Sequence, residues 1–445
     1  MAGGDLRILL TLGSIALLLF LILVLRLHAF LALLLTSMAL GLACGMEPVK
    51  VLKSIQSGFG EALGFIAIVI ALGAIIGKFL EHSGGGRALA EWMLRQSGRE
   101  QAAWAVLGSA FLIGLPIFFE VGFIILVPVA WSLAKESGKS LLYFGLPMAA
   151  ALTVTHAMVP PHPAPAAAAQ LLEANLGRVI LFGIALSIPM AISGGIFYAL
   201  WIAKRLFIPV PAHAAAGAPS KPGPAAPGVA VVVLLVTLPV VLIFAASISE
   251  MAESRSRTVF GFLGHPFVAL SVTTLIALYI FGFRRGLDRN TVYRMATESL
   301  GPVGTLLAII GGGGAFKQVI IDSGVGPYAG NLLASSGVSP LILAYLTAAA
   351  MRIAQGSATV AIITAAGIVA PIVKGIPGYS PEILVLALCC GGTVLSHVND
   401  AGFWLVNESF GMTVPQTLRS WTVMKVITSV VGISIVLAAH TIFGW

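Results

Sequence analysis

The chain has 445 residues, of which 58% are apolar and only 9% are charged. Because a soluble domain carries about 25% charged residues, this composition excludes a soluble protein and indicates an integral membrane protein. The 25 Lys and Arg residues exceed the 17 Asp and Glu residues, but they lie in short segments between apolar runs. That placement orients membrane helices, so we predict contact with the lipid bilayer and no binding of nucleic acid.

Apolar runs long enough to cross a bilayer recur along the chain. A membrane-spanning α-helix needs about 20 apolar residues, whereas the strands of a membrane barrel have about ten residues of alternating polarity. We therefore predict an all-α polytopic membrane protein. The full-length runs are 8–25, 29–46, 58–80, 178–203, 229–249, 262–283, 300–321 and 421–443.

Four further apolar regions are interrupted. Residues 103–134 and 341–373 are too long for one span and are broken in the middle. Residues 141–170 and 381–411 contain polar residues and prolines within their apolar stretches, and we predict one broken helix in each.

A stretch without periodicity divides the chain into two similar halves. Residues 205–228 are rich in Ala, Pro and Gly, which predicts a flexible linker between residues 1–204 and residues 229–445. A shift of 240 residues superposes five small residues of the first half on identical residues of the second half. The matched pairs are Gly64 with Gly304, Gly73 with Gly313, Ser83 with Ser323, Gly84 with Gly324 and Gly86 with Gly326.

The charges of equivalent loops differ between the two halves. Residues 81–100 include three arginines, whereas the equivalent residues 321–340 include no Lys or Arg. Residues 284–299 include four arginines, whereas residues 47–57 include only two lysines. Because Lys and Arg collect in cytoplasmic loops, equivalent loops are expected on opposite sides of the membrane. The sequence thus predicts two inverted-topology repeats.

An inverted repeat requires an odd number of spans in each half. Each half has apolar segments for about five spans of membrane-helix length, and its broken apolar region is then a re-entrant hairpin. We therefore predict about five spans plus one re-entrant hairpin in each half. The first hairpin turns near Leu115 and Pro116, and the second turns near Gly356. Alternatively, each broken region forms two short spans, which raises the total from about ten spans to roughly twelve to fourteen.

Inverted repeats with helices broken inside the membrane are typical of secondary transporters. Backbone that leaves helical geometry within lipid has unsatisfied polar groups unless it lines a wet cavity. The broken half-helices also direct their N-termini, which carry partial positive charge, towards the contents of that cavity. An anionic substrate is therefore expected there.

Ionisable groups at membrane depth are costly and usually functional. Glu120 follows the first hairpin turn, and we predict that it carries the coupling proton, or else holds the turn open by bonding backbone amides. Arg352 precedes the second turn and has the geometry to clamp a carboxylate, or else it forms a buried ion pair with Glu120 or Asp400. Asp400 is the second proton candidate, with a helix N-cap as its alternative role.

The other candidates are histidines, hydroxyls and one amide. His156, His162 and His397 lack the spacing of a metal motif and no cysteine accompanies them, so we predict no metal site and no cofactor. We interpret His156 and His397 as substrate contacts and His162 as a proton-coupling residue, or all three as groups that satisfy broken backbone. The side chains suited to a polyol substrate are Thr153, Thr155, Ser357, Thr359 and Asn399, or else the hydroxyls bond back to the carbonyl four residues earlier.

At these same breaks the chain resembles the gluconate permease family of the ion-transporter superfamily. The resemblance covers essentially the whole chain and is most specific at residues 114–122, 124–128, 155–163 and 396–404. It implies a scaffold domain and a transport domain with two hairpins, an elevator-type movement, a homodimer, and proton-driven uptake across the bacterial inner membrane.

The sequence therefore predicts a secondary symporter rather than an enzyme, with protons as the coupling ion and gluconate or a close sugar acid as the substrate. A sodium-coupled transporter of the same fold stays open, as do the family's other substrates, which include idonate, fructuronate, glycerate and D-serine. A channel and an intramembrane hydrolase are remote alternatives, the latter because no nucleophile and base stand at a suitable spacing.

Overall fold

The computed structural model describes residues 2–98, 100–211, 227–251, 257–324, 337–374 and 376–443. Within these ranges the chain forms helices joined by short segments, and it contains no strand. The helices of the first half are Ala2–Leu23, Ala29–Ala43, Pro48–His82, Gly85–Ser97, Ala102–Gly114, Phe119–Ser137, Leu142–Met158, Pro163–Leu171, Leu176–Ile192, Ser193–Tyr198 and Ala199–Ala203. Those of the second half are Val229–Met251, Arg257–Leu263, Pro266–Ala277, Leu278–Gly282, Phe283–Arg285, Arg289–Asp322, Pro340–Gln355, Ala358–Val373, Pro381–Thr393, Ala401–Phe410, Val414–Thr417, Leu418–Thr422 and Val423–Phe443.

Six helical stretches of the described residues are long and apolar enough to cross a membrane. They are Pro48–His82, Leu142–Leu171, Leu176–Ala203, Pro266–Arg285, Arg289–Asp322 and Val414–Ile442. Shorter apolar helices accompany them, so the prediction of an all-α polytopic membrane protein is confirmed. The number of spans stays a prediction.

The two regions predicted as hairpins each consist of two helices with a short break. The first helix pair is Ala102–Gly114 and Phe119–Ser137, and the second helix pair is Pro340–Gln355 and Ala358–Val373. Gly356 ends the second pair's first helix in a left-handed conformation with φ of 81°. Entry and exit of each pair on one side of the membrane stays a prediction.

The two regions predicted as broken helices are also interrupted. The first broken helix is Leu142–Met158 and Pro163–Leu171, and the second broken helix is Pro381–Thr393 and Ala401–Phe410. Each packs on the helix pair of its own half, so the four interruptions are brought towards one another.

The described elements follow a similar order in the two halves. The helix Pro48–His82 is followed by Gly85–Ser97 and then by a helix pair, a broken helix and a final apolar helix. The helix Arg289–Asp322 is also followed by a helix pair, a broken helix and a final apolar helix, but residues 325–336 between them lie outside the described residues. The inversion of one half relative to the other, and the division at residues 204 and 229, stay predictions. Most of the predicted linker, residues 212–226, lies outside the described residues.

Glu173 joins three elements at the end of the first broken helix. Its Oε1 accepts hydrogen bonds from Lys374 Nζ at 2.8 Å and Lys317 Nζ at 3.4 Å. The hydrogen bond from Lys374 is the main cause that holds the pKa of Glu173 below its usual value. This contact ties the first broken helix to the long helix Arg289–Asp322 and to the end of the second helix pair.

The two longest helices cross at glycines. A Cβ atom on Gly58 would lie 2.3 Å from the carbonyl oxygen of Gly314, and one on Gly314 would lie 2.4 Å from the carbonyl oxygen of Gly58. The two backbones are therefore in direct contact, which small residues permit between helices in a membrane.

We expect Gly314→Ala to destabilise the protein by about 1–3 kcal/mol, because its methyl group would meet the backbone of Gly58 and a backbone cannot rotate away. Gly64→Ala is the matched control, since nothing lies within 4 Å of a Cβ atom at Gly64. Alanine also favours a helix over glycine by up to about 1 kcal/mol. The melting temperatures of the detergent-purified variants measure both effects, and equal values would contradict the close crossing.

Candidate functional site

A cavity of about 260 Å³ lies where the four interruptions meet. Both helix pairs, both broken helices and the last helix, Val423–Phe443, contribute to its wall. Its size is at the small end of ligand cavities in proteins, which suits a small metabolite.

Three helix N-termini contribute to the wall of the cavity. The helix Phe119–Ser137 contributes its first two residues, and the helices Ala358–Val373 and Ala401–Phe410 contribute their first residues and their N-caps. Ser357 caps one of them by accepting a hydrogen bond from the Val360 amide at 3.3 Å. The first N–H groups of a helix have no partner within the helix, so convergent N-termini favour an anion.

An ion pair joins the second helix pair to the second broken helix. Arg352 donates from Nη2 to Asp400 Oδ2 and from Nη1 to the carbonyl of Gly356. The same Asp400 oxygen accepts from the hydroxyl of Ser396, which in turn accepts from Trp421 Nε1 at 2.7 Å. The ion-pair alternative for Arg352 is thus the arrangement that the structure contains.

Asp400 also caps the helix that follows it. Its Oδ1 accepts a hydrogen bond from the Gly402 amide at 3.0 Å. Asp400 therefore has three structural partners: the guanidinium of Arg352, the hydroxyl of Ser396 and the N-terminus of Ala401–Phe410.

Two other charged side chains line the cavity without an ion pair. Among the residues that the structure describes, no cationic side chain lies within 4.0 Å of the Glu120 carboxylate, and no carboxylate lies within 4.0 Å of the Lys425 ammonium. Lys425 instead donates to the hydroxyls of Thr153, at 2.7 Å, and Thr393. Glu120 is an exposed side chain on the second residue of its helix.

Some polar atoms at the cavity have no hydrogen-bond partner in the protein. They are the amide oxygen and nitrogen of Gln355 and the Nε atom of Arg352, all of them buried. A buried polar group without a partner is unfavourable, so a ligand that bonds these atoms would be stabilised at this place.

Two histidines extend from the cavity towards the first helix pair. The Nδ1 atoms of His156 and His162 lie 3.2 Å apart, and Nε2 of His162 lies 2.7 Å from the carbonyl oxygen of Gly114. Because a carbonyl only accepts, His162 must carry its proton on Nε2, and neutral His162 then accepts at Nδ1. His156 therefore donates through Nδ1, which leaves its Nε2 as an acceptor for the cavity.

The structure brings most of the predicted site residues to one place. Those that line the cavity are Glu120, Thr153, His156, Arg352, Ser357, Thr359, Asn399 and Asp400. Their roles in binding and coupling stay predictions.

Three predicted residues are not among those that line the cavity. Thr155 is fully buried, and its hydroxyl donates to the Ala151 and Leu152 carbonyls. His162 is buried against Gly114 as described above, and His397 Nε2 lies 3.1 Å from the carbonyl oxygen of Ile353. His162 and His397 thus bond backbone carbonyls at the breaks, and the roles of these three residues stay predictions.

The sequence-based candidates lack three of the polar side chains that line the cavity: Gln355, Trp421 and Lys425. A signal for Lys425 exists, because it is the only Lys or Arg in the apolar run 421–443. A charge within a membrane-spanning run usually has a function. Gln355 and Trp421 carry no comparable signal.

The family of the protein follows from a match along almost the whole chain. A family model described as GntP family permease matches residues 6–442. The chain belongs to this family. The predicted resemblance is thereby confirmed, and the protein is a membrane permease and not an enzyme.

Named relatives of this GntP family permease are similar over nearly their full lengths. It is 41% identical over 418 residues to the gluconate permease of Pseudomonas aeruginosa, which covers 93% of this chain and 92% of that protein. It is 40% identical over 423 residues to the high-affinity gluconate transporter of Escherichia coli K12, with 94% and 96% covered. It is 38% identical over 433 residues to the Gnt-II system L-idonate transporter of the same organism, with 97% and 98% covered.

Two solved structures share the fold of this GntP family permease. The Alcanivorax borkumensis YdaH transporter superposes with a TM-score of 0.67 at 15% identity and covers 94% of this chain and 98% of that chain. The Neisseria gonorrhoeae MtrF efflux pump superposes with a TM-score of 0.61 at 16% identity and covers 87% of this chain and 83% of that chain. At these identities the likeness indicates a common fold alone.

Proposed function

We propose that the protein is a secondary active transporter that imports gluconate, or a closely related sugar acid, by proton symport. The observation that carries the proposal is the cavity at the four breaks, where three helix N-termini favour an anion. Relatives that are 38–41% identical are named for gluconate and L-idonate, which are both polyhydroxylated carboxylates.

The polyol chain of such a substrate suits the uncharged polar groups of the cavity. Gln355 offers a donor and an acceptor that lack partners, and His156 offers Nε2 as an acceptor. Ser357 and Thr359 add hydroxyls at the start of the helix Ala358–Val373. Alternating hydroxyl donors and acceptors along a sugar acid would satisfy these groups.

Proton coupling is supported by the balance of charge in the cavity. Arg352 and Asp400 neutralise each other, which leaves one carboxylate, Glu120, and one ammonium, Lys425. A bound monovalent anion would give the cavity a net negative charge, which is unfavourable at membrane depth. Protonation of Glu120 removes that excess charge, so substrate and proton binding favour each other. Glu120 is therefore a better proton carrier than Asp400, whose charge is already paired.

The remaining features of the proposal rest on the resemblance to the family. They are an elevator-type movement of the helix pairs relative to the long helices, a homodimer, and a location in the bacterial inner membrane.

The test is uptake of radiolabelled gluconate into proteoliposomes under an imposed inward proton gradient, with and without sodium. We expect concentrative uptake that a protonophore abolishes and that does not depend on sodium. One proton with one monovalent anion is electroneutral, so the pH difference alone drives it and an imposed membrane potential adds nothing. Uptake that tracks sodium at fixed pH would contradict proton coupling, and competition by D-serine or glycerate but not gluconate would contradict the substrate.

A further inference from the structure

Among the described residues, the side chains of Arg352 and Lys425 are the cationic ones that reach the cavity, and they differ in what they already bind. The guanidinium of Arg352 holds the Asp400 carboxylate and the Gly356 carbonyl, which lie on two different elements. A substrate carboxylate that recruited these nitrogens would leave the Asp400 carboxylate without its counter-ion. The guanidinium of Arg352 therefore serves to hold two of the helix breaks together.

The ammonium of Lys425 forms no ion pair with the described residues. Its side chain is only 2% exposed, and it donates to two neutral hydroxyls, those of Thr153 and Thr393. An ammonium has three N–H donors, so one remains at the cavity that Lys425 lines. A buried cation bonded only to neutral groups lacks a counter-ion, and a substrate carboxylate would supply one.

The two threonines hold the ammonium between the halves of the protein. Thr153 and Thr393 are 240 positions apart, which is the offset of the internal repeat. Thr153 lies near the end of Leu142–Met158, and Thr393 is the last residue of Pro381–Thr393, so each belongs to the broken helix of its own half. Lys425 thus stands where the two broken helices and the last helix meet.

We propose that Lys425 binds the carboxylate of the substrate, with Thr153 and Thr393 as positioning residues that aim its ammonium at the cavity. This inference rests on the proposed function, since it requires a carboxylate substrate. It assigns to Lys425 the role that the sequence alone suggested for Arg352. The hydroxyl-bearing end of the substrate would then extend towards Gln355 and Ser357.

The test compares gluconate with gluconamide, a neutral analogue of the same shape, as competitors of labelled gluconate in proteoliposomes. In the wild-type protein we expect gluconamide to compete at least about 100-fold more weakly, because it cannot form the charged pair. In Lys425→Gln we expect gluconate to lose about 100-fold in apparent affinity and the preference for the acid to fall below about tenfold. Lys135→Gln, an exposed lysine at the end of Phe119–Ser137, is the control and should keep both values.

Thr153→Val and Thr393→Val retain the lysine and keep the inference testable if Lys425→Gln does not fold. Each should raise the KM for gluconate about five- to tenfold and reduce the preference over gluconamide, because each removes one hydrogen bond to a charged group. A preference for the acid that is unchanged in Lys425→Gln, or in both threonine variants, would overturn the role of Lys425. Failure of gluconate to compete in the wild-type protein would instead overturn the proposed function.

Discussion

Glu120→Gln is expected to abolish proton-driven accumulation of substrate while sparing exchange. The amide has nearly the shape of the carboxylic acid but cannot take up or release a proton. With an inward gradient of one pH unit and one proton per substrate, the wild-type protein can concentrate substrate up to about tenfold. The variant should only equilibrate it, to a ratio of about one. Exchange of internal for external substrate involves no net proton movement and should continue.

The measurement is the plateau of labelled gluconate in proteoliposomes, followed by exchange in the same vesicles. Glu136→Gln is the matched control, because Glu136 is an exposed acid on the same helix, Phe119–Ser137, and lies at its other end. Accumulation at the wild-type level in Glu120→Gln would remove Glu120 from proton coupling. Loss of exchange together with accumulation would show that the ionised carboxylate is needed for binding, which also contradicts the model of coupling.

The positions of the breaks could be predicted from the sequence because they depend on local composition. The pair Leu115 and Pro116 and the glycine at 356 interrupt apolar runs, and the structure is non-helical at these places. The ends of the long helices were predicted less well. The hydropathy pattern predicts a span at 300–321, whereas the helix begins at Arg289. Polar residues extend the helix beyond its apolar part, and Asp288 caps its N-terminus by accepting a hydrogen bond from the Thr291 amide.

The lining of the cavity could be predicted only in part, because the sequence does not specify which way a side chain points. Thr153 and Thr155 point to nearly opposite sides of one helix, so only one of them can face the cavity. Thr153 lines the cavity, while the hydroxyl of Thr155 bonds back to the preceding turn. Such back-bonding is common for hydroxyls in membrane helices and has no sequence signature. Lys425 was missed for a different reason, since its partners Thr153 and Thr393 come together only in the folded chain.

The second large effect concerns the ion pair of Arg352 and Asp400, whose side chains are 2% and 14% exposed. We expect Arg352→Gln to destabilise the protein by about 3–5 kcal/mol, because it leaves the Asp400 carboxylate without its counter-ion. Asp400→Asn should cost a similar amount, since it leaves the guanidinium unpaired. Glu91→Gln is the control, because its pair with Arg87 is exposed and such pairs contribute only about 0.3–0.5 kcal/mol.

The double variant, Arg352→Gln with Asp400→Asn, distinguishes two roles of Arg352: stabilising the fold through its ion pair, and binding the substrate directly. The double variant leaves no buried charge without a counter-ion, so we expect it to regain most of the loss. Its apparent affinity for gluconate should stay within a few-fold of wild type, because the carboxylate of the substrate is held by Lys425. Melting temperatures of all three variants measure the recovery of stability, and uptake by the double variant measures its apparent affinity for gluconate. If stability returns but affinity for gluconate is lost, Arg352 itself binds the substrate and the division of roles between the two cations is reversed.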